Sequence, residues 1–146
     1  MSIRYWSVVV AVALVAATGG FALHAAVALE VPQADTRVFE LRTYKAAPGK
    51  MQDVEARFRD HTLTFFAKHG LQPIGGYYIP TEGEDANNAI VYILVHESRA
   101  AADQNWAAFG ADAEWQQVRT ASMANGPITT SVTRQWLRPA DWSPVR

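Results

Sequence analysis

Apolar and polar positions change their spacing repeatedly between residues 37 and 138, and each change marks an element. Residues 37–44 alternate, with Val38, Phe39, Leu41 and Tyr44, which suits a strand. Pro48 sits where a first helical turn tolerates a missing amide donor, and Gly70 where a helix ends in a left-handed residue. Between them Met51, Val54, Phe58, Phe65 and Phe66 recur at three to four residue steps or their multiples, while Lys50, Asp53, Glu55, Arg57 and Arg59 take other faces, so a helix is predicted. Residues 71–79 form a second strand, in which Gly75-Gly76 suggests a bulge or a close approach by another group. After a polar, turn-rich stretch, residues 89–96 are apolar at both odd and even positions, as in a strand covered on both faces. Ser98 caps a helix through Ala102, Trp106 and Phe109, and Asp112 caps a following one that holds Trp115, Val118 and Met123 until Asn125-Gly126-Pro127. Residues 128–137, rich in Thr, Val and Trp with a period of two, make the fourth strand.

Strand, helix, strand, strand, helix, strand is the ferredoxin-like βαββαβ order. It predicts an α+β fold in which two helices back one face of a four-stranded antiparallel sheet. That leaves the other face open in a monomer. Exposed Val and Ile forfeit about 1.5–3 kcal/mol each relative to burial, so the two-sided third strand predicts a homodimer with a two-fold interface. The alternative is that helix packing, edge curvature or a tail residue such as Trp142 provides the cover.

Composition narrows the function classes. The 146 residues include no cysteine, which excludes disulfides, thiolate nucleophiles and sulfur-held metal centres. Thirteen Lys+Arg against 14 Asp+Glu give a net charge of −1, so no general attraction to nucleic acid is expected. Arg4, the apolar run at residues 8–17, Gly19-Gly20 and the small residues of Ala26-Val27-Ala28 read as a secretory signal over residues 1–28, cleaved after Ala28. An uncleaved membrane anchor is the competing reading, because residues 8–28 approach the roughly 20 apolar positions needed to cross a bilayer. Either places the remaining chain outside the cytoplasm, periplasmic or secreted. Residues 29–36 read as a linker, 37–138 as the domain and 139–146 as a tail.

The segment Phe39-Glu40-Leu41-Arg42-Thr43-Tyr44, followed by Pro48-Gly49-Lys50 at a helix start, resembles the opening of a NIPSNAP domain. Lys68-His69-Gly70, Val91-Tyr92-Ile93-Leu94 and the run from Trp106 to Trp115 continue the resemblance over residues 37–138. Ala113 departs from it, standing where the pattern often has proline before Glu-Trp. The resemblance implies ferredoxin-like subunits pairing through their sheets as a dimeric α/β barrel. It implies no particular reaction. Related dimeric barrels include small oxygenases, haem-handling enzymes and isomerases, which implies a pocket between sheet and helices rather than a defined chemistry.

Glu40, Arg42 and Tyr44 lie two apart and share one strand face. They make either a polar strip inside a dimer cavity, with Arg42 gripping a carboxylate, Glu40 accepting a proton and Tyr44 donating a hydrogen bond, or a salt-bridge ladder at the dimer interface. His61 falls between Phe58 and Phe65 on the apolar side of the first helix, so it is the candidate general base or metal ligand, or else a packing residue. His69 suits the negative end of that helix, and His96 ends the third strand without an evident partner. These spacings match no metal motif, and no metal or cofactor is expected. Tyr77, Tyr78, Tyr92, Trp106, Trp115 and Trp136 either line a pocket for an aromatic ligand or build the core. Arg134 is a second anion partner or an edge charge that deters strand addition. The leading expectation is an exported homodimer binding a small aromatic or anionic ligand through Arg42, Tyr78, Tyr92, Trp106 and Arg134. The alternatives are a cofactor-independent oxygenase or isomerase using His61, Tyr44 or Glu40, and a structural or protein-interaction module.

Overall fold

The computed structural model describes residues 37–145, so the expected signal segment and the whole linker, residues 29–36, lie outside the described residues. Strands β1 (Val38–Ala46), β2 (Gln72–Tyr78), β3 (Ala89–His96) and β4 (Thr129–Leu137) form one sheet in the order β2-β3-β1-β4, with every neighbouring pair antiparallel. Helical segments α1 (Met51–Arg57) and α2 (Leu63–Lys68) connect β1 to β2, and α3 (Arg99–Ala111) and α4 (Ala113–Ser122) connect β3 to β4. This is the ferredoxin-like arrangement expected from the order of periods.

The pairing of β1 with β3 decides which side chains share a face. Glu40 stands opposite Leu94, Arg42 opposite Tyr92 and Tyr44 opposite Ile90. Along β3, Ile90, Tyr92, Leu94 and His96 are buried while Val91, Ile93 and Val95 are half-buried. The buried set packs with the helices. Phe66 of α2 is 1% exposed and meets Phe58, Tyr92, Trp106 and Phe109 with ring centroids 5.2–6.3 Å apart. On the opposite face Ile74, Ile93 and Leu41 form one row and Val95, Phe39 and Leu137 another. The tail's Trp142 is 85% exposed and does not roof that face.

Three local features differ from, or sharpen, the sequence expectation. Pro48-Gly49 forms a turn, with Gly49 at φ +70°, and the helix starts later at Met51. The first helix is also not uniform: a single π turn, Phe58–Thr62, separates α1 from α2. A π turn closes i to i+5 and so holds one residue more than an α turn. The Thr62 hydroxyl donates to the Arg57 carbonyl at 3.1 Å, and the buried positions become Val54, Phe58, Thr62 and Phe66. The added residue turns His61 outward, so His61 is exposed rather than on the apolar side facing the sheet. In β2 the pairing with β3 shifts between Ile74 and Tyr77, as the glycine pair suggested. The Tyr78 hydroxyl lies against Gly75, whose φ is +79°, and a Cβ there would come within 3.0 Å of it.

Capping matches the sequence. The Ser98 hydroxyl accepts from the Ala101 amide, and Asp112 Oδ1 accepts from the Glu114 and Trp115 amides. Asp112 Oδ2 also meets Lys68 Nζ at 2.8 Å and His69 Nε2 at 2.7 Å, which ties the end of α2 to the start of α4. His69 thus has a carboxylate partner besides its place at a helix end. Hydrogen bonds from Lys68, His69 and the Trp115 amide hold the Asp112 carboxyl well below its ordinary value.

A carboxyl held low in the folded state stabilises the fold above its ordinary value and loses that contribution as pH falls. Asp112→Asn retains a capping oxygen but not the charge. Its stability deficit against the parent is expected to be full at neutral pH and to shrink as pH falls below 3.8, measured by urea unfolding across pH 2–7. Phe66→Ala is expected to cost about 3–5 kcal/mol in the same assay at neutral pH.

Candidate functional site

Glu40 lies on β1 under α3 and is 0% exposed. A bare carboxylate there would be strongly disfavoured. Three donors from three other positions satisfy it. Arg42 Nη1 reaches Oε1 at 2.9 Å, His96 Nε2 reaches Oε2 at 2.8 Å from the end of β3, and Trp106 Nε1 reaches Oε2 at 2.7 Å from α3. Burial pushes the Glu40 carboxyl up, but the bonds from His96 and Trp106 and the Arg42 charge outweigh it and hold the group below 4.5. Glu40 is therefore a saturated anion rather than a free base. The Arg42 guanidinium lies 4.2 Å from the centroid of the Trp106 ring, a cation–π contact on its other side.

The Glu40, Arg42, Tyr44 row thus faces the chain's own helices, in place of the expected dimer cavity or interface ladder. The reason is register: antiparallel pairing puts Glu40 beside Leu94, and Leu94 is 0% exposed. Tyr44 stacks on Tyr92 with centroids 6.0 Å apart and meets Phe58 edge-on at 5.0 Å. Arg134 stands directly opposite Arg42 on edge strand β4, exposed, with its guanidinium 5.3 Å from the Trp136 ring. The structure therefore gathers Arg42, Tyr92, Trp106 and Arg134 from the predicted ligand set. Tyr78 is not with them. It pairs with Val91, on the opposite sheet face, and is 60% exposed.

Several buried polar atoms on the helix-facing side have no hydrogen-bond partner among the described residues: Arg42 Nε, the Tyr92 hydroxyl, His96 Nδ1 and Trp136 Nε1. Arg42 Nε and Trp136 Nε1 can only donate, and the Tyr92 hydroxyl can donate. His96 directs Nε2 at an ionised carboxylate, so its neutral tautomer leaves Nδ1 as an acceptor. Burial pushes the Tyr92 phenol well above 10.0, so it stays protonated and available as a donor. The balance is donor-rich, which favours an oxygen acceptor. Trp136 was among the aromatic candidates from the sequence, whereas His96 was missed as a member of this set, although the period-two pattern of Tyr92, Leu94 and His96 already placed it on the face that receives Glu40.

His61 lines a separate groove of about 600 Å³ between the first helix and α4, together with Lys50, Arg57, Gln117, Val118 and Ser122. A smaller groove of about 320 Å³ beside β2 is lined by Phe58, Leu63, Tyr77, Ile79 and Ile90. Among the described residues no group of three metal-ligating side chains converges, and no helix is long and apolar enough to cross a membrane.

The geometry has counterparts in solved structures. A NIPSNAP family protein from Agrobacterium tumefaciens strain C58 superposes with a TM-score of 0.66 at 22% identity, covering 75% of this chain and 99% of its own. A NIPSNAP-like domain protein from Burkholderia xenovorans gives 0.64 at 20% identity, covering 75% and 90%. A second Agrobacterium tumefaciens protein, a NIPSNAP family protein of unknown function, gives 0.65 at 20%, covering 78% and 97%. These likenesses establish a shared fold. No curated protein is a significant match to the sequence. The NIPSNAP family model matches residues 39–144, which takes in the sheet from Phe39 onward, the helices and every residue of the Glu40 cluster, and the chain belongs to the NIPSNAP family.

Proposed function

We propose that this NIPSNAP domain is an exported homodimer that binds a small anionic ligand on the helix-facing side of its sheet, beside Arg42 and Arg134. The observation that carries the reading is the cross-strand arginine pair. Arg42 is matched by Glu40, whose oxygens are taken by Arg42, His96 and Trp106, whereas Arg134 has no carboxylate within 4.0 Å among the described residues. A ligand carboxylate or phosphate would supply the counter-charge that Arg134 lacks, and the unmatched donors of Arg42, Tyr92 and Trp136 supply further attraction. Trp106 and Trp136 offer ring faces for an aromatic ligand body. The opposite sheet face, with Ile93, Leu41 and Val95, is the surface through which two copies pair. Export rests on the amino-terminal pattern alone.

An acid–base enzyme is the second reading, and the observation behind it is His96: Glu40 fixes Nε2 and leaves Nδ1 bare, as a general base requires. It replaces His61, which the π turn carries away from the sheet.

The purified mature protein, screened by mass spectrometry for retained small molecules, is expected to hold an anionic compound. Arg134→Gln is expected to weaken its binding about tenfold or more, as a lost charged hydrogen bond of about 1.5–3 kcal/mol requires. Equal retention by Arg134→Gln would remove the arginine pair from the site. Light scattering is expected to give twice the monomer mass, and Ile93→Asp to give a monomer; a parent monomer at micromolar concentration would overturn the pairing. Glu40→Gln is expected to destabilise the fold by about 3 kcal/mol at neutral pH, because it leaves the half-buried Arg42 charge without its acid. That deficit should shrink below pH 4.5, where Glu40 itself begins to protonate.

A further inference from the structure

Arg57 is a buried cation that the Glu40 cluster does not use. It closes α1, is 7% exposed, and lines the groove between the first helix and α4. Taking a guanidinium out of water is costly unless an acid and hydrogen bonds replace the lost hydration. Arg57 has neither in full. Its one side-chain hydrogen bond is a long one, 3.5 Å from Nη1 to the Ser122 hydroxyl, and its Nε is buried without a partner among the described residues. The Trp115 ring lies 5.9 Å from its guanidinium, at the far edge of cation–π range. Burial lowers the Arg57 pKa, the Tyr44 phenol opposes that, and the neighbouring Arg119 cation adds to it.

The acids of the groove do not compensate. Asp53 is engaged by Lys50 at 2.9 Å and Asp60 by Arg59 at 2.9 Å. Among the described residues neither carboxylate, nor any other, comes within 4.0 Å of Arg57. A buried cation with an open donor therefore borders a groove of about 600 Å³, within the range of small-molecule pockets. Ala56, Val118 and Ala121 supply apolar wall, and Gln117 and Asn125 supply amides.

We infer that the groove between the first helix and α4 is a second binding site, which takes a small organic carboxylate whose charged end meets Arg57 and whose apolar body lies along Ala56, Val118 and Ala121. The planar fork of a guanidinium donates to both oxygens of a carboxylate, a match that an ammonium lacks. The apolar wall favours an organic acid over bare phosphate, whose oxygens would all need donors. The site is separate from the Arg42–Arg134 face and does not depend on it.

The test is a titration of the isotope-labelled full chain with sodium benzoate and, separately, inorganic phosphate, at constant ionic strength, following backbone amide resonances. Benzoate is expected to give saturable shifts confined to the lining positions of α1, the π turn and α4, with a Kd on the order of 10 mM for so small a probe. Arg57→Gln is expected to weaken it at least tenfold. Ala121→Phe, on the exposed side of α4, fills the groove without entering the core and is expected to abolish the shifts, which decides the matter where Arg57→Gln fails to fold. Arg134→Gln is expected to leave benzoate binding unchanged, so failure of the sheet-face reading and failure of this one are separately visible. Absence of saturable shifts, unchanged binding by Ala121→Phe, or phosphate binding as tightly as benzoate would each overturn the assignment.

Discussion

A negative charge buried on a central strand organises this domain. Glu40 can remain ionised at 0% exposure only because β1, β3 and α3 each bring a donor to it. β3 and α3 come well after β1 in the chain, so the carboxylate acts as a registration point. A slip of β1 against β3 by one residue would turn Glu40 to the opposite sheet face and strand His96 and Trp106 together. Buried ionic groups retained in this way need not add net stability, but they make misregistered pairings expensive.

The division of the sheet into two unlike faces follows from the same register. One face holds the Glu40 cluster, the Tyr44–Tyr92 stack and the Phe66 rings, and carries the unmatched donors of Arg42, Tyr92 and Trp136. The other is a plain apolar surface of Leu41, Ile74, Ile93 and Val95, with no ionic group in its central rows. Charge and open donors therefore lie on one side of the sheet and plain apolar area on the other. Fold alone carries no reaction, and the features that distinguish this chain are the placement of its arginines and the donors they leave open.

Most of the architecture was readable from spacing, because strand and helix periods are local and the caps Ser98 and Asp112 are short-range signals. The Gly75-Gly76 irregularity was readable for the same reason. The site was legible in part. Arg42, Tyr92, Trp106 and Arg134 were picked out by residue type, and the structure does bring them together. What failed was orientation. Which sheet face Glu40 takes depends on pairing with a strand about 50 residues later, and no local pattern encodes that. Tyr78 was chosen by residue type too, but it pairs with Val91 and so takes the opposite sheet face. Arg57 looked like one more solvated charge on a helix, since its lack of an acid partner is a property of the packed state alone.

His61 was misplaced by the π turn at Phe58–Thr62. That turn also bears on how members of the family should be aligned. A relative whose first helix lacks the extra residue corresponds to this chain only with a one-position gap inside that stretch. Without the gap, the inward residues Thr62 and Phe66 would be matched to outward ones, and any conservation score over α2 would mix core with surface.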